Sequence, residues 1–364
     1  YHLLHPIVNL TRDADGTVTH VASHHETGMA EAYELYFLER MDSEERCLRL
    51  EHSVHNVLTD VILATRDYGA MRRKANDLSN ALHHLREHSA QGVHRNQAEE
   101  LEENAAFLRW LDEDNFVFLG YREYELATLN DTLHLQVAPE SGLGVLSKLD
   151  DSAYREPVPI SDIPGGLRER VLGGRSLIVT KTNAESTVHR PARMDYVGVK
   201  KLGESFEVQG EQRFVGLFTS KALSTPVAST PILRHKLKTV LDLDNAIAGS
   251  HDYKEITSIF DSIPREELFW ADARQLHQEI RTIMNLTRER GVRLTVRPDP
   301  LARGLAAMVI MPRERFNAEV RQRIQEALTA RLNASHVDYR LAMGEDDSQL
   351  RFHFFFTTDV LSLI

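Results

Sequence analysis

Cysteine is almost missing from this chain: Cys47 is the single one in 364 residues. One cysteine can form no internal disulfide, which fits a reducing compartment, and the expected localisation is cytoplasmic. No run of about 18 consecutive apolar residues occurs, so nothing reads as a membrane span. The opening Tyr1-His2-Leu3-Leu4 lacks the basic start and long apolar core of a secretion signal. It also lacks an initiator methionine and leads at once into an apolar strand at 3–10, which reads as a fragment starting partway into a longer chain. Positive charge is in deficit: 43 Lys and Arg stand against 54 Asp and Glu, a formal net charge of -11. Nucleic acids and membrane surfaces are anionic, so neither is an expected partner.

A dinucleotide loop is missing as well. The nearest match to G-x-G-x-x-G is Gly142-Leu143-Gly144-Val145-Leu146-Ser147, without the third glycine. The next residues, Lys148-Leu149-Asp150-Asp151-Ser152, do not make an apolar helix, so the glycines read as turn residues. There is no P-loop and no lysine in a glycine-rich setting. No catalytic residue and no cofactor are assigned to this chain.

What is present is a globular composition, 42% hydrophobic and 27% charged. The length suggests about two to four domains. A strand at 3–10, a turn at Asp13-Ala14-Asp15-Gly16 and a strand at 32–41 come first. Asp42 and Glu45 stand at capping-box spacing before a helix with apolar residues at Cys47, Leu50, Val54, Val57, Leu58 and Val61. Cys47 reads as a small core residue on that face. Residues 68–114 look helical, with stripes at Leu78, Leu82, Leu85 and at Leu101, Ala105, Leu108, Leu111, separated by Ser89-Ala90-Gln91-Gly92; an αα-hairpin is the simplest account. Strands come next at 116–126, 133–137, 176–182, 195–201 and 213–219, punctuated by Gly165-Gly166 and Gly173-Gly174. Helices are expected at 233–241 and 253–263, and another after a capping box of Asp272 and Gln275. Strands at 292–296 and 305–311, a helix at 317–332, and strands near 336–343 and 349–357 complete the pattern. Helix, two strands, helix, two strands can fold as a ferredoxin-like sandwich with its helices on one sheet face.

The fold class is therefore α+β and multi-domain. The expected divisions are a truncated ACT-like (ferredoxin-like) domain at 1–66, a helical hairpin at 67–114, a PAS-like antiparallel sheet domain at 115–225, a helical segment at 226–290 and a second ACT-like domain at 291–364.

The 18 histidines invite a metal reading. His24-His25 are adjacent and His52 and His55 have i, i+3 spacing, but third and fourth ligands are not in evidence, and such a pair on a polar helix face is more often two solvated side chains. No metal site is assigned. The densest polar stretch is Thr187-Val188-His189-Arg190-Pro191-Ala192-Arg193-Met194-Asp195-Tyr196. Arginine forks bind carboxylates in bidentate fashion, so His189, Arg190, Arg193, Asp195 and Tyr196 form a candidate effector site for a carboxylate or phosphate. The structural reading of the same residues is Arg193–Asp195 pairing and loop-anchoring hydrogen bonds. Arg297-Pro298-Asp299-Pro300 reads as a rigid turn after a strand, and 311–316 as a strand-to-helix turn with a solvated charged face.

Several segments carry a family resemblance. His5-Pro6-Ile7-Val8, Phe107-Leu108-Arg109-Trp110-Leu111, Asn115-Phe116-Val117-Phe118-Leu119-Gly120-Tyr121-Arg122 and Ser141-Gly142-Leu143-Gly144 resemble the large bacterial NAD-specific glutamate dehydrogenases. So do 186–200 (STVHRPARMDYVGVK), 216–220, Pro264-Arg265-Glu266-Glu267-Leu268-Phe269, 292–300 and 309–317. The blocks span nearly the whole chain in the same order. The resemblance implies a long cytoplasmic parent that converts glutamate to 2-oxoglutarate and ammonia with NAD. It implies ACT-like and PAS-like modules ahead of the catalytic domain, homo-oligomer formation, contacts with the rest of the parent chain and a possible amino-acid effector. This chain is then a non-catalytic regulatory and assembly region of that enzyme. The competing expectation is a stand-alone sensor of an amino acid or other small molecule, without catalysis.

Overall fold

The computed structural model describes residues 2–22, 29–89, 95–148, 155–163, 165–173, 175–289, 291–299, 304–343 and 349–358. The chain divides into two compact units, Tyr1–Leu58 and Thr59–Ile364.

In the first unit, β1 (His2–Leu4) pairs with β5 (Leu35–Phe37), and β2 (Ile7–Arg12) is the centre of a sheet between β3 (Val18–Ala22) and β4 (Met29–Ala32), all antiparallel. The Asp13–Gly16 turn forms as its residues dictate. Asp13 Oδ1 accepts the N–H groups of Asp15 at 3.1 Å and Thr17 at 2.9 Å, and Gly16 supplies a φ of 81°. The expected strand at 32–41 is instead split between β4 and β5. The helix α1 starts at Glu44, and its cap is not the expected one: Ser43 Oγ accepts the Arg46 N–H, while Asp42 pairs with the Arg46 side chain at 2.8 Å. Glu45 is drawn to Arg49 instead of closing a capping box. Cys47 is exposed, not a core residue, and so are Leu48, Leu50, Val54, Val57 and Leu58.

α1 runs without a break to Ser89, passing through 66–67 as continuous helix. The turn at 90–92, like Gly174, lies outside the described residues. Within the second unit α1 buries Met71, Ala75, Leu78 and Leu82 at helical spacing. α2 (Arg95–Trp110) ends in a π-helical turn, Leu111–Asn115, where Asp114 takes a φ of 60° and the chain reverses into the central sheet.

That sheet holds β6 (Phe116–Leu129), β7 (Thr132–Val137), β8 (Leu143–Gly144), β9 (Val158–Pro159), β10 (Leu177–Glu185), β11 (Arg193–Leu202) and β12 (Val208–Phe218). The order is β10-β11-β12-β6-β7-β9, with β8 pairing β6, and every pairing is antiparallel. The short helix α3 (Gly165–Leu172) precedes β10. The alternation predicted for the five main strands is present, and one face buries Phe116, Phe118, Tyr121, Val197, Val199, Phe214 and Phe218 in the largest core cluster of the molecule. Phe218 stacks on Phe269 with ring centroids 4.8 Å apart. Rings of this size are each worth about 1.5–3 kcal/mol on burial.

The Gly142–Ser147 loop is turn geometry. Gly144 has a φ of 59°, and a Cβ there would lie 2.1 Å from the Leu119 carbonyl oxygen. Its N–H donates to Asp67 Oδ2 at 2.8 Å.

After α4 (Ser220–Ser224), the helices α5 (Leu233–Leu243), α6 (His251–Ser262), α7 (Arg265–Trp270) and α8 (Ala273–Glu289) pack on the same core. Half of the expected capping box at α8 forms: Gln275 Oε1 accepts Asp272 N–H at 3.4 Å, while Asp272 Oδ1 accepts from Arg274 N–H at 2.8 Å and not from Gln275 N–H. α7 is not legible in the periodicity. Its C-terminal carbonyls are capped by the buried Lys236 ammonium, which donates to Leu268 at 2.7 Å, Phe269 at 2.5 Å and Ala271 at 2.8 Å.

A second sheet comes after these helices, ordered β13-β14-β16-β15 from β13 (Arg293–Pro298), β14 (Gly304–Pro312), β15 (His336–Met343) and β16 (Gln349–Thr357), with α9 (Ala318–Arg331) between the two hairpins. Phe352, Phe354 and Phe356 pack under α9 through Val320, Ile324 and Leu328, while Met308 and Ile310 on the other face join the core that contains α8. The helices therefore lie on opposite sheet faces, not on one. The cause is in β16, whose alternate residues Arg351, His353 and Phe355 are also withdrawn from solvent.

Candidate functional site

The loop 186–192 between β10 and β11 is closed by its own hydrogen bonds, with Ser186 N–H donating to Ala192 O at 2.8 Å and Arg190 N–H to Val188 O at 2.9 Å. His189, at φ 71°, is exposed and points out of this turn. Arg190 anchors the loop by donating to Phe218 O at 2.9 Å. The pairing anticipated between Arg193 and Asp195 does not form. Asp195 is buried, accepts Phe218 N–H at 3.0 Å, and faces Lys181 Nζ at 2.7 Å. Arg193 donates through Nε to Thr182 O at 3.0 Å and reaches Asp338 across 145 residues of sequence at 3.4 Å. Strand alternation places Tyr196 on the opposite sheet face, where its hydroxyl bonds Glu211 and the Arg213 guanidinium stacks 3.7 Å from the Tyr124 ring centre.

Of the five candidate residues, Arg190 and Arg193 line a common cavity, Asp195 supports its wall through Lys181, and His189 and Tyr196 lie elsewhere. The cavity measures about 540 Å³ and lies where the end of the central sheet, α7 and the polar face of the second sheet meet. Clefts of this size suit small ligands. Its apolar wall is Trp270 and Phe355, edge-to-face with centroids 6.1 Å apart, and the Arg193 guanidinium sits 4.9 Å from the Phe355 ring centre.

The walls are charged, and α7 joins them. Glu266 reaches back to Lys181 at 3.3 Å and forward to Arg340 at 2.5 Å. Its neighbour Glu267 holds Arg297 at 2.7 Å and lies 3.0 Å from His353 Nδ1. Arg297 also pairs with Glu279 of α8 at 2.7 Å and lies over the Trp270 ring. Burial opposes charge on Glu267, but His353 and Arg297 outweigh it and hold its pKa below the ordinary carboxylate value. Burial wins at Glu279, whose pKa is raised despite Arg297. Burial would lower Lys181, but Asp195 and Glu266 hold it above the usual lysine value.

Arg297 thus belongs to this buried network; the turn expected of it is taken up by Asp299, whose N–H donates to Gly304 O at 2.8 Å. Lys181, Glu266, Glu267 and His353 are not singled out by the sequence. The available signal is in β16, where Arg351 and His353 alternate with phenylalanines: a strand polar on one face and apolar on the other, yet too apolar overall to be solvated. The paired His52 and His55 are exposed on α1, and His24-His25 lie outside the described residues. The described residues that bring three potential metal ligands together are His251, Asp252 and Glu255, at the surface start of α6.

Likeness to known proteins runs along these same modules. Residues 230–289, which hold α5–α8, match the glutamate dehydrogenase helical motif 1, and residues 293–362, which hold the second sheet, match the glutamate dehydrogenase ACT2 domain. The NAD-specific glutamate dehydrogenase of Halomonas elongata is 31% identical over 348 residues, 94% of this chain and 21% of that protein. That of Pseudomonas aeruginosa is 31% identical over 291 residues, 80% of this chain and 17% of the other. That of Mycobacterium tuberculosis is 25% identical over 296 residues, 81% and 17%. Among solved structures, methyl-accepting chemotaxis protein X aligns at 9% identity and a TM-score of 0.18, covering 85% of this chain and 99% of that one, too slight a likeness to bear on the fold. The chain spans about a fifth of the length of the first of these relatives. Matched along almost its whole length and carrying two of their modules in order, it belongs to the NAD-specific glutamate dehydrogenase family, of which it is one segment.

Proposed function

We propose that this segment is a non-catalytic regulatory region of an NAD-dependent glutamate dehydrogenase and that the cleft at Arg190 and Arg193 receives a small-molecule effector. The parent reaction is L-glutamate, NAD and water going to 2-oxoglutarate, ammonium and NADH. The segment works joined to the rest of that chain, in a cytoplasmic homo-oligomer, and needs no NAD of its own. A truncated ACT-like domain at the start and a PAS-like central sheet are the readings we give to the remaining modules.

The observation that supports this is the position of Glu266. One side chain of the helical motif holds Lys181 of the central sheet and Arg340 of the ACT2 sheet at the same time, beside the cleft. The cleft is lined by residues of all three modules, so a ligand in it can contact them together, and a ligand shifts an arrangement only through such differential contacts.

Two measurements test it. The purified 364-residue chain, given glutamate and NAD, should generate no NADH absorbance; turnover would overturn the non-catalytic reading. In thermal unfolding with a panel of amino acids, 2-oxoglutarate and nucleotides, at least one small molecule should raise the midpoint by preferring the native state. A midpoint that no compound moves would overturn the effector reading.

A further inference from the structure

Apart from Glu185 at its exposed edge, the carboxylates of the cleft are already engaged by cations. Glu266 faces Lys181 and Arg340, Glu267 faces Arg297 and His353, and Asp338 faces Arg193 and His336. Three nitrogens of the lining residues are left over. Arg193 Nη2 and both ring nitrogens of His353 are buried, and none has a hydrogen-bond partner; Nδ1 has only the ionic contact with Glu267. The two residues come from different modules, with side chains 8% and 1% exposed respectively. A buried guanidinium nitrogen without an acceptor is costly, so a native state that keeps one beside a cavity points to an acceptor that the cavity takes in.

His353 can serve only in one protonation state. Its Nδ1 faces Glu267 Oε1 at 3.0 Å, outside hydrogen-bond geometry but beside a carboxylate, which favours a proton on Nδ1 in the neutral ring and leaves the lone pair on Nε2. Facing an anion, that lone pair repels; with a proton added, it donates. The groups around the ring permit the addition. Glu266 and Glu267 of α7 and Glu279 of α8 are acidic, Arg297 of β13 and Arg340 of β15 are basic, and β14 offers the uncharged Met308 opposite. All three acids are already paired with the two arginines, Glu267 and Glu279 sharing Arg297, and the entering anion adds further negative charge.

We propose that the cleft binds a small carboxylate between Arg193 of the central sheet and His353 of the ACT2 sheet, and that His353 takes up one proton as it binds. The inference rests on the effector reading above and names its ligand chemistry. The guanidinium fork matches a carboxylate, and Phe355 and Trp270 give the carbon body of the ligand an apolar wall. Because the two receiving residues sit on different modules, the bound anion would draw the central and ACT2 sheets together.

Succinate and inorganic phosphate distinguish a carboxylate from a generic anion. Each is titrated calorimetrically into the whole chain at about pH 7, in two buffers of different ionisation enthalpy. Succinate should bind with an apparent enthalpy that changes between buffers by about one proton's worth of buffer ionisation, and phosphate should bind more weakly. Arg193→Met should weaken succinate at least tenfold. His353→Gln should weaken it less but abolish the buffer dependence. Arg193→Lys, which keeps the charge and loses the fork, stands in should the methionine variant fail to fold, and the ligand-free unfolding midpoint reports which have folded. A buffer-independent enthalpy overturns the proton uptake. Phosphate binding as tightly as succinate overturns the carboxylate assignment. No binding of succinate to the folded chain, or binding untouched by both variants, overturns the site. An amino acid that raises the midpoint equally in wild type and Arg193→Met would sink this inference and leave the regulatory reading standing.

Discussion

The two units of this chain invert each other's burial. Among the described residues of 2–58 most large apolar side chains are outside, Leu10 being buried: Leu35, Tyr36 and Phe37 are each more than half exposed, and Val54 and Leu58 stand on an open helix face. In residues 59–364 charged side chains are inside, with Arg297, Glu279, Asp195 and His353 all buried. The same helix shows both conditions, since Leu58 and Leu82 of α1 belong to similar apolar stripes and only Leu82 is covered. Periodicity tells which residues share a face, and the partner elements decide whether that face is covered. A buried charge persists only where partners surround it, which the second unit provides through α7 and α8.

The largest effect that tests this contrast is at Arg297. Arg297→Met leaves Glu267 and Glu279 facing each other without their shared cation, and should destabilise by about 3–5 kcal/mol in urea unfolding. The matched change in the first unit, Arg46→Met, removes an exposed i, i+4 pair with Asp42 and should cost no more than about 1 kcal/mol. Equal losses would erase the comparison. Next comes the helix itself. Leu82→Ala should cost about 2–5 kcal/mol, whereas Leu58→Ala should stay within about 0.5 kcal/mol. A large loss at Leu58 would mean that its face is covered in solution.

Much of the second unit is readable from local pattern. The main strands of the central sheet, the four strands and helix of the ACT2 sheet and the Gln275 half of the capping box with Asp272 depend on residues close in sequence, and all are found near their expected positions. The failures are long-range. Arg193 chooses Asp338 over the nearby Asp195 because Lys181 already occupies that carboxylate from the neighbouring strand. Arg297 reads as a turn residue beside two prolines until Glu267 and Glu279 are brought against it. α7 is too short for periodicity to reveal. Of the candidate site, the arginines are legible as a cationic loop, but the acidic and histidine side of the cleft needs the fold to assemble it.

A smaller effect separates the buried carboxylates from exposed ones. The folded-state pKa of Glu267 is depressed, so its contribution to stability is present above the unfolded carboxylate pKa of about 4.3 and is lost as pH falls through the folded value. The stability gap between wild type and Glu267→Gln should therefore be widest above about pH 5 and close in acid. A gap that widened on acidification would mean that Glu267 is protonated in the native network.

The smallest effect concerns Cys47, and it is the most direct probe of the open face. The thiol is exposed, with only Met41 Sδ at 3.9 Å, so Cys47→Ser should change stability by less than about 0.5 kcal/mol. Its reaction with a thiol reagent should be nearly as fast in the native chain as in urea, because access and not opening of the fold sets the rate. Strong native protection, diminishing on dilution, would show that another copy covers the stripe of Leu50, Val54, Val57 and Leu58. The contrast between the two units would then belong to the single chain alone, and the first unit would hide its apolar surface by association just as the second hides its charges by folding.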